Sequence, residues 1–322
     1  MSAGLLDGRV AIVTGGAGNL GAHICRLFAS QGASIVINDV NTAAGEALTE
    51  EVVAGGGRAV FDCTDVSTVA GGRALVQRAV DEFGTVDALA LLAGRIPLSP
   101  LADISEDEWD GVITSHMKGH FTLIQATAPV MKEKRYGRIV GFSSVQGTIG
   151  DSHQMPYCAA KAGIIGLMRA VTIELDPFGI CANTVCPAGV EGVHGPIADR
   201  LVGPSANVAP LVAYLASEQA GWINGHVFDI SGSGRLGLYR PMVPERLIER
   251  PGGFSIDETS DAVGRLFEPM YSSEPRQRPR LLPPAGEQLD KLPEGIAPLL
   301  YEMLSTAGLF PPPENPPRTP WR

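Results

Sequence analysis

Seven short runs, each apolar almost throughout, punctuate the first two-thirds of this 322-residue chain: RVAIVTG, ASIVIND, GRAVFD, VDALALLAG, GRIVGFSS, GICANTVCPAG and GHVFDIS. Between them lie helix-like stretches such as LGAHICRLFASQG and STVAGGRALVQRAVDEFG. A strand with one wet face alternates apolar and polar residues, whereas these runs scarcely alternate, so each is expected to be buried on both sides. Buried strands separated by helices predict a parallel sheet covered on both faces, an α/β doubly wound architecture.

The first connection is the most specific one. TGGAGNLG, Thr14 to Gly21, follows the first apolar run and opens the first helical stretch. Glycines there let the chain turn tightly, and the amides of a helix start favour a phosphate group. This predicts the nucleotide-binding form of the doubly wound sheet, the Rossmann fold, with Gly15, Gly18, Asn19, Leu20 and Gly21 at the dinucleotide. Asp39 closes the second run and is followed by Val40. A carboxylate there accepts hydrogen bonds from the adenosine ribose and repels a 2′-phosphate, so NAD rather than NADP is expected.

Farther along, Ser144 ends a strand-like run, and Tyr157 and Lys161 stand four residues apart in YCAAKAGIIGLMRAVTIEL. One helical turn separates them, so both side chains share a face. A phenol loses its proton near pH ~10 and is a poor base at neutrality. An ammonium beside it favours the phenolate, and a serine hydroxyl can hold the oxygen of an alcohol or ketone. With a hydride acceptor at the glycine loop, these residues together read as an alcohol/ketone oxidoreductase.

The order of glycine loop, acidic residue, serine and YxxxK resembles the short-chain dehydrogenase/reductase family from about Leu5 to Leu236. The resemblance implies that Tyr157 is the general acid/base, that Lys161 lowers its pKa and holds the nicotinamide ribose, and that Ser144 positions the substrate oxygen. It also implies cofactor contacts from Asp65 and Val66, with Asp62 a rival in the same run, and from Ala93, Gly94, Pro187 and Val190. There are departures. Asn19 stands where glycine is usual, a change that asparagine's tolerance of left-handed angles makes mild. Leu91-Leu92 replace an asparagine pair that braces the central sheet, and Gly192 replaces a threonine that bonds the nicotinamide amide. His116 takes the place of the asparagine whose main-chain carbonyl completes the relay, and a packed helix histidine is an equal reading; His120 reads as structural. HMKGHF, GICANTVCP and INGHVFDISG resemble the branch containing the dehydrogenase module of multifunctional enzyme type 2 (17β-hydroxysteroid dehydrogenase type 4) and actinobacterial enzymes. That branch implies NAD and a hydroxyacyl-CoA or hydroxysteroid alcohol.

With 44% hydrophobic residues, the chain can bury a full core, and its formal net charge of −10 argues against nucleic acid or anionic membrane as main partner. No run approaches the ~20 apolar residues of a membrane span, and a cytoplasmic protein is expected. The five cysteines lack CxxC spacing and read as reduced thiols, with no metal site. Residues 1–236 are expected to form the NAD-binding domain and 237–322 a proline-rich C-terminal extension. In that extension two short helices are expected, about 256–268 with Ser255 and Glu258 as a capping box, and about 297–306. The segment Glu191 to Ala209 is short for a substrate lid, so the extension is expected to roof the pocket; Arg276, Arg278 and Arg280 read mainly as solvated charges. The expected function is NAD-dependent hydride transfer on a secondary alcohol of a bulky apolar, steroid-like or terpenoid-like molecule. The alternatives are a 3-hydroxyacyl-CoA dehydrogenase and, outside enzymes, an NAD-sensing binding protein. The resemblance implies a homodimer or homotetramer paired through the helices that carry His116 and Tyr157.

Overall fold

The seven apolar runs fold into β1 (Val10–Thr14), β2 (Ser34–Asn38), β3 (Arg58–Asp62), β4 (Ala88–Leu91), β5 (Gly137–Phe142), β6 (Ile180–Ala188) and β7 (Val227–Ser231). The computed structural model describes residues 4–188, 203–234, 236–239 and 265. The chain divides into two units, Met1–Tyr239 and Arg240–Arg322, and all described residues except Arg265 belong to the first. Val190, Gly192, most of the Glu191 to Ala209 segment, both expected tail helices with Ser255 and Glu258, and Arg276, Arg278 and Arg280 lie outside the described residues.

The sheet order is β3-β2-β1-β4-β5-β6-β7-β8, parallel throughout except for β8 (Leu236–Leu238), which runs antiparallel to β7. The order reverses between β1 and β4, and in a doubly wound sheet that crevice, outside the carboxyl ends of the strands, is where ligands bind. The side chains divide with a period of two. Val13, Ile35, Ile37, Ala90, Val140 and Phe142 pack with Ile24 and Phe28 of α1 (Asn19–Ser30), Leu48 of α2 (Thr42–Ala54) and Val212 of α8 (Ala209–Leu215). Ile12, Val36, Leu89, Leu91 and Ile139 pack on the other face with Leu75 of α3 (Val69–Phe83), Leu123 of α5 (Gly119–Lys134) and Ile164 of α7 (Met155–Leu175). Both faces of the central strands are therefore dry, which is why their sequences do not alternate.

Two strands depart from expectation. β3 is not buried like the others: Arg58 is exposed and the rest half-buried, because β3 is the sheet edge and lacks a neighbour on one side. β8 was not foreseen. Its Leu-Gly-Leu carries no strand period, and it exists only by pairing Leu236, Gly237 and Leu238 with β7. Between α4 (Glu106–Ile113) and α5 the chain takes a π-helical turn, Thr114–Lys118. Such turns insert a residue into the helical ladder and re-aim a side chain; the side chain here is His116.

Candidate active site

The carboxyl ends of β1, β2, β4, β5 and β6 border one cleft of about 620 Å³. It runs from Asp39 and Val40, past Gly15, Gly18, Asn19, Leu20 and Gly21, to Ser144, Tyr157 and Lys161. Asp65, Val66, Ala93, Gly94, His116 and Pro187 also line it, so every described residue expected at the site on sequence grounds is present. Asp65, and not Asp62, is on the wall; Asp62 turns back to accept the Thr64 amide at 2.8 Å.

At the glycine-loop end, β1 passes into α1 through a turn pinned by the Gly16 amide, which donates to the Asn38 carbonyl at 3.0 Å. A Cβ on Gly21 would collide with the Gly15 carbonyl, so only glycine lets the helix start this close to the loop. Gly18 caps α1 without a side-chain hydrogen bond, and the first turn carries no acidic residue. A helix start of this kind, without a side-chain cap or an acidic residue, favours an anion. Asp39 braces the loop from the next strand: one carboxylate oxygen accepts the Ala17 amide (3.0 Å), the other the Asn41 amide (2.9 Å). Hydrogen bonds from Ser67 hold the Asp65 carboxyl below its ordinary range. Asn19 corrects the sequence argument: positive φ outside glycine is confined to Arg135 and His153 among the described residues, and Asn19 is simply the first helical residue. Its amide nitrogen instead reaches Ser205 Oγ at 3.3 Å. The leucine pair does make an apolar brace, with Leu91 buried under α3 and α5 and Leu92 packed on the opposite face. Polar bracing comes from Thr14, unforeseen in the sequence, whose Oγ1 accepts both the Leu92 and Ala93 amides (3.1 and 3.2 Å).

A dinucleotide suits this cradle, since an uncapped helix start, a close-packed glycine and a carboxylate at the end of β2 are the features its pyrophosphate and ribose require.

At the other end, Ser144, Tyr157 and Lys161 are all buried. Ser144 comes off β5, and α7, with Pro156 in its first turn, presents Tyr157 and Lys161 on one face. Ser143 Oγ donates to the Lys161 carbonyl at 2.8 Å and ties α7 to β5. Lys161 Nζ donates to the Phe142 carbonyl at 2.7 Å and lies 5.4 Å from the centre of the Tyr157 ring. Ser144 Oγ donates to Gln146 Oε1, which with Gln154, Arg95 and Ser115 is a lining residue that carried no signal in the sequence.

Burial has the largest effect on both charged forms at this end of the cleft. Burial pushes Tyr157 up to about 12, opposed by its hydrogen bond with Ser144, and burial pushes Lys161 down to about 7. Burial thus penalises the charged form of each group.

His116 is buried and stacks edge-on against Tyr157, ring centres 5.2 Å apart at 78°. Its Nε2 lies 2.8 Å from the Arg95 carbonyl, and its Nδ1 is buried without a partner. Gly94 makes room for that ring: a Cβ on Gly94 would strike it. The His116 carbonyl, expected to serve the relay, is engaged by His120 Nδ1 at 2.6 Å. Burial holds both rings neutral, His116 down to about 2 and His120 down to about 3, with the Lys161 charge adding to each shift.

Residues 9–195 match the family model for short chain dehydrogenase. The hydroxyacyl-CoA dehydrogenase ChsB1 of Mycobacterium tuberculosis is 35% identical over 277 residues, covering 79% of this chain and 85% of that protein. The peroxisomal multifunctional enzyme type 2 of Mus musculus is 34% identical over 246 residues, 73% of this chain but only 33% of that longer protein. A short chain dehydrogenase from Mycobacterium avium superimposes with a TM-score of 0.74 at 32% identity, covering 82% of this chain and 96% of that one. Switch-point cleft, glycine cradle and buried tyrosine–lysine pair thus coincide with sequence and fold likeness over most of the chain, which belongs to the short-chain dehydrogenase family of nicotinamide-dependent oxidoreductases.

Proposed function

We propose that this protein oxidises the secondary alcohol of a bulky 3-hydroxyacyl-CoA thioester with NAD. The observation that carries the chemistry is the single cleft joining Asp39 to Ser144, Tyr157 and Lys161. When bound, a nicotinamide dinucleotide would supply the hydride acceptor. Tyr157, as the phenolate, takes the hydroxyl proton at its phenolic oxygen. Lys161, fixed by the Phe142 carbonyl, adds its charge on the same side, and Ser144 holds the substrate oxygen in line. The burial that raises the phenol's pKa also strengthens the effect of any nearby charge on it.

Asp39 supports NAD over NADP. It lines the cleft at the end of β2, its oxygens held by the Ala17 and Asn41 amides. The thioester is supported by ChsB1, named for a hydroxyacyl-CoA. Bulk is supported by apolar side chains exposed on the segments flanking the mouth: Ile96 and Leu98 after Gly94, and Ile149 and Met155 after Gln146. The Ser99 amide joins the two segments by donating to the His153 carbonyl at 2.9 Å. Exposed Phe121 on α5 and Ile173 on α7 support a homodimer or homotetramer through those helices.

Purified protein should reduce NAD with 3-hydroxyacyl-CoA thioesters, read as NADH absorbance, and do so more efficiently with long or polycyclic acyl groups than with short ones. Turnover of free steroid or terpenoid alcohols with none of the thioesters would overturn the substrate assignment.

A further inference from the structure

The first turn of α5 holds a buried side chain that neither the cofactor cradle nor the tyrosine–lysine pair explains. His120, in the first turn of α5, is 2% exposed. Its Nδ1 sits 2.6 Å from the His116 carbonyl, and its Nε2 sits 3.2 Å from the Phe142 amide. A carbonyl can only accept, so with the ring neutral the proton is on Nδ1. Nε2 is then a lone pair facing the Phe142 N–H, beside the Leu91 carbonyl that pairs with that amide in the sheet. Phe142 is the last residue of β5, and its carbonyl is the group that takes Lys161 Nζ at 2.7 Å.

We propose that His120 is a positioning residue for Lys161. It clamps Phe142 through the amide, and Phe142 in turn aims its carbonyl at the lysine. A helix carbonyl, an imidazole, a strand residue and an ammonium thus form one directed chain: His116 O, His120, Phe142, Lys161. The π-helical turn Thr114–Lys118 sits immediately before α5, and its His116 supplies the carbonyl that orients the ring. The groups facing this chain are His116 from the turn, Cys186 from β6, Tyr157 from α7 and the Leu91 carbonyl from β4. None of these is a carboxylate that could hold the ammonium in place of Phe142.

The two ring nitrogens can be tested separately, because glutamine carries its terminal oxygen near the Nε2 position and asparagine carries its amide near Nδ1. In His120→Asn the Phe142 amide keeps its ladder partner, the Leu91 carbonyl, and loses the ring as its second acceptor. With the alcohol that the unmutated enzyme turns over, kcat should fall about tenfold, as for one lost hydrogen bond. The midpoint of the kcat/KM–pH profile for oxidation should move to higher pH, because a displaced ammonium favours the phenolate less. His120→Gln should restore both. A lowered unfolding temperature in both variants with an unmoved pH midpoint would show that the ring is only packing, and would overturn the proposal. The inference rests on the tyrosine–lysine chemistry and not on the choice of substrate. A second readout needs no variant and no turnover: ring ¹⁵N and ¹³C shifts of His120 in the unmutated protein should show a neutral Nδ1–H tautomer from pH 6 to 9. An Nε2–H tautomer, or a protonated ring, would equally overturn it.

Discussion

At the scale of single residues, the site is governed by what burial does to charge. Tyr157, Lys161, His116 and His120 are all buried, and each is pushed toward its neutral form. The two histidines make this measurable as stability. Their folded pKa values lie near 2 and 3, below the ordinary 6.5 of an unfolded ring. Between pH 6.5 and 3 the unfolded chain binds protons there that the folded chain does not, so stability falls as pH falls, by about 1.4 kcal/mol per pH unit for each ring. Denaturant unfolding at pH 5.5 and 7.5 should show this slope, and His120→Gln should remove one ring's share; equal stability at the two pH values would contradict the buried neutral rings. At the far end, Asp39→Ala should narrow the preference for NAD over NADP. A carboxylate facing a 2′-phosphate costs about 1–4 kcal/mol near a surface, so kcat/KM for NADP should rise relative to NAD by about tenfold or more. An unchanged cofactor ratio would place the discrimination elsewhere.

At the scale of elements, the strands were legible because burial on both faces removes alternation, and the sheet's right-handed parallel winding leaves little choice once the run order is known. β8 was not legible, since a three-residue edge strand is made by its neighbour rather than by its own sequence. The half-exposed β3 was misjudged for a related reason: apolar content in RAVFD does not reveal that the strand has a partner on one side only. Ser144, Tyr157 and Lys161 could be read from spacing along a helix and a strand end. Gln146, Gln154 and Arg95 could not, because they reach the cleft from separate elements and no pattern joins them; nor could the brace from Thr14 to the Leu92 and Ala93 amides. The π-helical turn was also invisible, yet it sets where His116 points. Gly94 is its counterpart on the loop after β4. Gly94→Ala should drive a methyl into the His116 ring, leaving the far-ultraviolet circular dichroism unchanged while kcat/KM falls about tenfold or more, as for a 1–3 kcal/mol overpacking strain. Full activity in that variant would mean that the ring is free to move aside.

At the scale of the whole molecule, one cleft separates binding from chemistry by distance along the sheet. The α1 start and Asp39 form one end, the β5–α7 junction the other, and β1 and β4 with Thr14 between them hold the ends in register. Loss of the proton carrier should therefore leave cofactor affinity in place. Tyr157→Phe keeps the ring against His116 and removes only the phenolic oxygen. The most direct measurement pairs NADH binding, by fluorescence titration, with alcohol-dependent NAD reduction in that variant. The expected result is binding within about threefold of the unmutated protein and turnover lower by roughly 10²–10⁴, the usual worth of general acid–base help. Turnover within a few-fold of the unmutated protein would contradict Tyr157 as the group that moves the proton.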